Sequence, residues 1–309
     1  MNLEPSNQTN LFYLNDFFLE LTNLHLSKSL PNKILLSGEK GIGKCTLAYH
    51  VINFILSSDE DHPYDYKSLK INPENKSFKL VKNKSNPNLI LIDVVEEKKN
   101  IDINQIRNLI LTLNKSSFNS KARFVLIDNI ELLNLNSVNA LLKVIEEPND
   151  NVFFILINNN KNILPTLKSR CLNFKISLTS SDSLKVVDKL LSENLGNIFN
   201  VELLSKFNTP GNILRIINFA DRNGIDTKDI SLKKFILNVF ANKTYKKETS
   251  DKDLIYSFLE LYFRKNISVK NINLINMYKY FLKKINQTKK FNLDEESLFM
   301  EFEDKILNE

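Results

Sequence analysis

The chain has 309 residues, with 42 Lys and Arg against 36 Asp and Glu for a formal net charge of +6, which is length enough for two or three domains, each with its own core. Two cysteines and three histidines argue against a disulfide framework or a closed structural metal site, and no apolar run approaches the ~20 residues of a membrane span. The lysine excess suits an acidic partner such as nucleic acid, although a genome's base composition also produces abundant Lys, Asn and Ile.

The opening Met-Asn-Leu-Glu-Pro lacks the basic and apolar segments of a secretion signal, so a cytoplasmic location is expected. Residues 11–29 read as a helix with a 3.6-residue apolar pattern at Leu11, Leu14, Phe17, Phe18, Leu21 and Leu24, ended by Pro31. A strand, Lys33–Ser37, then feeds Gly38-Glu-Lys-Gly-Ile-Gly-Lys-Cys-Thr46, and a helix follows over Thr46–Leu56. Gly38, four residues, Gly43 and Lys44 make the first part of a phosphate-binding loop: small residues let successive backbone N–H groups face a phosphate, and the lysine adds charge. Gly38, Gly41 and Gly43 are half of the chain's six glycines, where average usage would give about twenty in all. The pattern is incomplete at Cys45, where a Ser or Thr hydroxyl would bind magnesium. A thiol is a poor ligand for so hard a cation, and Thr46 sits about 100° further round the helix.

Residues 57–88 are polar and carry Pro63, Pro73 and Pro87, so a surface excursion is expected, with His62 solvated. Asn88–Asp93 reads as a strand buried on both faces. Asp102 is a helix N-cap with Gln105 completing a capping box and Ile101 meeting Ile106 as a staple. Strand Arg123–Asp128 ends on an acid, a helix from about Asn136 to Glu147 stops at Pro148, and Asn151–Ile157 and Cys171–Ile176 read as two more strands, with Cys171 a small buried apolar residue. Alternating strands and helices predict a three-layer α/β domain on a parallel sheet, with ligands at the carboxyl edge near the loop. Beyond Leu178 every segment reads as helix: a start at Thr179–Asp182, then Leu184–Leu191, Leu203–Phe207, Pro210–Phe219, Leu232–Phe240, Leu254–Phe263, Ile272–Ile285 and Leu298–Leu307.

Two stretches narrow the function. Asp128-Asn-Ile-Glu-Leu-Leu-Asn-Leu-Asn-Ser-Val-Asn-Ala-Leu-Leu-Lys-Val-Ile-Glu-Glu-Pro148 and Leu164-Pro-Thr-Leu-Lys-Ser-Arg-Cys171 resemble the clamp-loader branch of the AAA+ ATPases, most nearly its DNA polymerase III delta-prime members. The resemblance covers residues 1–220 by motif and 221–309 by length and helical character. It implies an AAA+ P-loop domain over 1–176, a helical lid over 177–221 and an all-helical collar over 222–309. It also implies that Lys44 is the P-loop lysine, Asp128 the Walker B acid, Asn158 a polar sensor, Arg215 the second sensor arginine, and Gly38, Gly41, Gly43, Cys45 and Thr46 the rest of the nucleotide loop.

The residue after Asp128, a glutamate in hydrolysing relatives, is Asn129, and an amide cannot take a proton from water. Arg170, between Ser169 and Cys171, matches an arginine that reaches the γ-phosphate held by a neighbouring subunit. A surface arginine paired with a nearby acid is the bland alternative. Segment 57–88 lacks the cysteines of the zinc module found in many relatives, so zinc is not expected. The expectation is a non-hydrolysing clamp-loader subunit, binding ATP or ADP weakly with magnesium doubtful. Its partners would be gamma/tau-type and delta subunits, the sliding clamp and primed DNA in a hetero-oligomer away from membranes. The competing readings are an active gamma/tau-type motor ATPase and, from another class, a P-loop kinase or nucleotide switch.

Overall fold

Apolar residues alternate along the strands, and that alternation builds a core on each side of one sheet. The computed structural model describes residues 4–95, 98, 100–115, 119–147, 149, 151–205, 208–244, 249–267, 272–291 and 293–307. They form two compact units, Met1–Asp182 and Ser183–Glu309. The 221/222 boundary expected between lid and collar falls inside the second unit.

In the first unit, α1 (Asn15–Leu26) precedes β1 (Lys33–Ser37), α2 (Lys44–Leu56), α3 (Lys76–Lys82) and β2 (Leu89–Ile92). Then come α4 (Ile103–Leu113), β3 (Arg123–Ile127), α5 (Leu135–Glu146), β4 (Val152–Asn158), α6 (Pro165–Lys168) and β5 (Leu172–Lys175). The strands are parallel in the order β2-β3-β4-β1-β5. Ile34 and Leu36 on β1 face a core shared with Phe18, Leu47, Val51, Phe124 and Leu126. Leu35, on the opposite face, joins Val125, Ile127, Phe154, Ile106 and Leu141. Strands of period two with a helix layer on each face give the expected α/β sandwich.

The capping box forms as read: the Asp102 side chain accepts from the Asn104 N–H at 3.0 Å, and Gln105 Oε1 accepts from the Asp102 N–H at 3.0 Å. The other end of α4 is closed by a residue no local pattern marks. Arg123 donates to the carbonyls of Thr112 at 2.7 Å and Lys115 at 3.1 Å, placing a cation where the helix dipole is negative.

Three expectations change. The helix expected from residue 11 begins at Asn15, because Tyr13 holds a left-handed φ of 58° that a helix cannot pass through, while Leu11 and Leu14 are buried ahead of it. Segment 57–88 is more than a surface excursion: Tyr64, Ile71 and Phe78 are buried, Tyr64 stacks on Phe18 with ring centroids 4.9 Å apart, and Asn75 caps α3 by accepting from the Phe78 N–H at 2.8 Å. His62 is exposed, as expected. Finally, β2 is an edge strand, so Leu91 is 45% exposed instead of buried on both faces. Pro148 lies outside the described residues.

The second unit carries most of α7 (Ser180–Leu191), then α8 (Pro210–Asn223), α9 (Leu232–Ala241), α10 (Thr249–Asn266), α11 (Ile272–Phe291) and α12 (Glu295–Phe302). The helix expected over Leu203–Phe207 is not found in its described part: Leu203 ends a short 3-10 turn, Val201–Leu203, and Leu204 is extended; residues 206 and 207 lie outside the described set. The core is aromatic: Phe263, Phe281 and Phe302 meet with centroids 5.2 to 5.8 Å apart, and Phe240 stacks on Phe299 at 5.2 Å. Among the described residues, no helix is long and apolar enough to cross a membrane.

Candidate functional site

Parallel register brings the strand ends together at one edge. Ser37 on β1 pairs with Asn158 on β4, and the Gly38 N–H donates to the Asn158 carbonyl at 3.2 Å, so the glycine loop lies beside the end of β4. Likewise Ile92 pairs with Ile127, and the Asp128 N–H donates to the Ile92 carbonyl at 2.9 Å, which sets Asp93 beside Asp128. Gly41 and Gly43 have φ of 86° and 94°, a left-handed backbone that turns the loop back before α2 and that side-chain-bearing residues rarely adopt. At Gly38 space is the constraint: a Cβ there would stand 2.3 Å from the Ile176 carbonyl oxygen.

Lys44, in the first turn of α2, is 3% exposed and spends its ammonium on the protein itself. It donates to the carbonyls of Gly38 at 2.9 Å and Glu39 at 2.6 Å and to Asn159 Oδ1 at 2.9 Å. Burial pulls its pKa down to about 8, against the opposing pull of Asp128, Glu131 and Glu39. Next to it, the Cys45 thiol donates to the Asp128 carboxylate. Burial, reinforced by Asp128, pushes that thiol well above its ordinary range, so it stays neutral. Asp128 is itself raised, first by burial and then by Asp93. Thr46 is the next residue of α2 and half-buried.

Asn129 holds a left-handed φ of 55°, which asparagine tolerates better than most residues. Both ends of its amide are committed. Nδ2 donates to Asp93 Oδ1 at 2.7 Å, and Oδ1 accepts from Asn159 Nδ2 at 2.8 Å. Asn159 Nδ2 also donates to Glu131 Oε1 at 3.0 Å. The group has a buried cation, a glycine loop at a helix N-terminus, the acids Asp93, Asp128 and Glu131, and an amide, Asn129, next to the strand-end acid.

Of the residues singled out in the sequence, the structure gathers Gly38, Lys44, Cys45 and Asp128 into this group. Asn158 borders it through its backbone, while its side chain closes a turn, donating to the Lys161 carbonyl at 2.9 Å and accepting from the Lys161 N–H at 3.0 Å. The asparagine whose side chain reaches the lysine is its neighbour, Asn159. The run of three asparagines conceals which one points inward; the β1–β4 register decides it. Asp93 and Glu131 were also missed, although an acid ending a second parallel strand was a usable signal for Asp93. Arg170 stands on the turn after α6, exposed, donating to Glu146 Oε1 at 2.6 Å and to the Thr166 carbonyl at 2.9 Å. Arg215 lies half-buried on α8 of the second unit. Cys171 is half-buried against the core, where burial raises its thiol to about 11.

The family model described as DNA polymerase III, delta subunit, matches residues 15–180. DNA polymerase III subunit delta' of Buchnera aphidicola subsp. Baizongia pistaciae is 30% identical over 180 residues, 56% of this chain and 49% of that one. DNA polymerase III subunit gamma of Buchnera aphidicola subsp. Schizaphis graminum is 32% identical over 173 residues, 55% and 45% of the two chains. The chain thus spans about half the length of the curated relatives it matches. Among solved structures, a DNA polymerase III gamma subunit-related protein of Thermotoga maritima shares the fold, with a TM-score of 0.53 at 16% identity over 92% of this chain and 96% of that one.

Proposed function

The chain belongs to the DNA polymerase III delta-subunit family, within the clamp-loader branch of the AAA+ proteins, and on that premise we propose that it is a delta-prime-like subunit that does not hydrolyse nucleotide itself. It offers Arg170 to ATP bound by a gamma/tau-type neighbour while the complex, with a delta subunit, places the sliding clamp on primed DNA in the cytoplasm. The segment 177–221 acts as the lid and 222–309 as the collar.

The observation that carries the proposal is Asn129. It occupies the position of the water-activating carboxylate, and its amide is held at both ends, by Asp93 and Asn159. Cys45 supports it independently, since a neutral thiol already bonded to Asp128 is a poor magnesium ligand. The glycine loop and Lys44 fit a phosphate, so ATP or ADP is held weakly if Lys44 leaves Gly38, Glu39 and Asn159, with Asp128 beside it and no step of hydrolysis following.

Similarity to gamma chains favours a second reading, an active motor. Steady-state ATP turnover and a nucleotide titration of the purified chain, each with and without magnesium, separate the two. The proposal expects turnover at background and weak binding that magnesium does not improve. Magnesium-dependent turnover abolished by Lys44→Ala would establish the motor.

A further inference from the structure

We propose that α11 carries a binding face for single-stranded nucleic acid. The twenty residues Ile272–Phe291 include five lysines and no Asp or Glu. Two of the five are used inside the unit: Lys284 pairs with Glu301, and Lys289 Nζ lies 2.9 Å from Asp253 Oδ1. The other three, Lys279, Lys283 and Lys290, are exposed and have no carboxylate within ion-pair distance among the described residues. At 100° per residue they fall within about 40° of one another, and at 1.5 Å per residue they run along roughly 16 Å of one helix face. Asn276, Asn286 and Gln287, also exposed, fill the spaces on that face with amides able to donate to phosphate or base.

A line of cations with amides between them matches one phosphodiester strand. An aromatic ring stands beside the last lysine of the line: Phe291, the next residue, is 61% exposed, with Lys290 Nζ 5.3 Å from its centroid. Such a pair sets a phosphate contact beside a flat apolar surface, which is the arrangement that lets a protein follow a backbone and stack a splayed base without reading sequence. A protein partner fits this face less well. Lysine is depleted from the centres of protein interfaces, and the exposed ring nearest the middle of the helix, Tyr280, already has its hydroxyl bonded to Glu301 at 2.8 Å. A duplex turns its bases inward and offers nothing for the Phe291 ring. The proposal does not depend on Arg170 or on the nucleotide loop.

The test uses the full chain and a labelled oligothymidylate, with affinity measured by fluorescence anisotropy across a salt series. Each neutralised phosphate of a single strand contributes about −0.7 to the slope of log K against log salt. The triple variant Lys279→Ala, Lys283→Ala, Lys290→Ala is therefore expected to flatten the slope by about 2. Phe291→Ala is expected to weaken binding about tenfold at unchanged slope. An unchanged slope in the triple variant, or binding to duplex of equal length that exceeds binding to the single strand and ignores Phe291→Ala, overturns the proposal. So does a triple variant that loses association with the other clamp-loader subunits while holding the oligonucleotide normally.

Discussion

Arg170 is held by Glu146: its Nη2 lies 2.6 Å from Glu146 Oε1, joining the turn after α6 to the last residue of α5 across 24 positions of sequence. Both side chains are partly solvated, the arginine 36% and the glutamate 48% exposed, so the pair contributes about 0–1 kcal/mol to stability. An arginine that acts on a neighbour's nucleotide has to leave this partner first. Glu146→Ala is therefore expected to change stability by under about 1 kcal/mol in urea unfolding and to raise, by up to a few fold, the ATP turnover of an assembled complex. Loss of turnover on freeing the arginine would mean that Glu146 orients it for action.

On the proposed reading, the thiol at position 45 bears on metal binding and the amide at 129 on activation of the attacking water. Cys45→Ser supplies a hydroxyl oxygen where magnesium needs one, so nucleotide binding is expected to become tighter with magnesium than without it. Turnover is expected to stay at background, because Asn129 still lacks a basic oxygen. Isothermal titration with and without magnesium, followed by a phosphate-release assay on the same variant, checks both halves.

Lys44 gives the nucleotide loop a pH limit. Its ammonium titrates at about 8 in the folded chain, against 10.5 for an ordinary lysine. Phosphate affinity should fall as pH rises through 8 and the charge is lost. Stability should move the opposite way: between pH 8 and 10.5 the unfolded chain binds more protons than the folded one, so this lysine's contribution rises with pH. Nucleotide titrations at pH 7 and pH 9, compared with Lys44→Met at both, isolate the effect.

His50, buried with Nδ1 2.8 Å from Tyr64 Oη, sets an acid limit. Burial lowers its pKa from 6.5 to about 4. Unfolded chain takes up a proton as pH falls through 6.5 while folded chain resists until about 4, so stability is lost across that window, by up to about 3 kcal/mol. His50→Gln is expected to flatten that part of the urea-midpoint-against-pH curve; an unaltered slope would assign the acid sensitivity elsewhere.

What could be read from the sequence was what neighbouring residues decide among themselves. The Asp102–Gln105 capping box joins residues three apart, and Lys33–Ser37 is bounded by Pro31 and Gly38, so both appeared where expected. Features set by strand order did not. Leu89–Ile92 is as apolar as a central strand, and only its place at the sheet edge exposes Leu91. Tyr64 stacking on Phe18, and Asn159 instead of Asn158 reaching Lys44, depend on how distant segments register against each other. That an amide, Asn129, follows the strand-end acid Asp128 needed only the strand before it to be read; that Asp93 and Asn159 hold this amide in place did not show, since they come just after β2 and β4.

The most direct measurement compares clamp- and DNA-stimulated ATP turnover in complexes assembled with this chain as Arg170→Ala and as Lys44→Ala. A subunit that lends a guanidinium and burns nothing itself predicts turnover reduced at least tenfold by the first change, with the complex still assembled, and little altered by the second. Turnover that survives Arg170→Ala but collapses with Lys44→Ala would contradict the account.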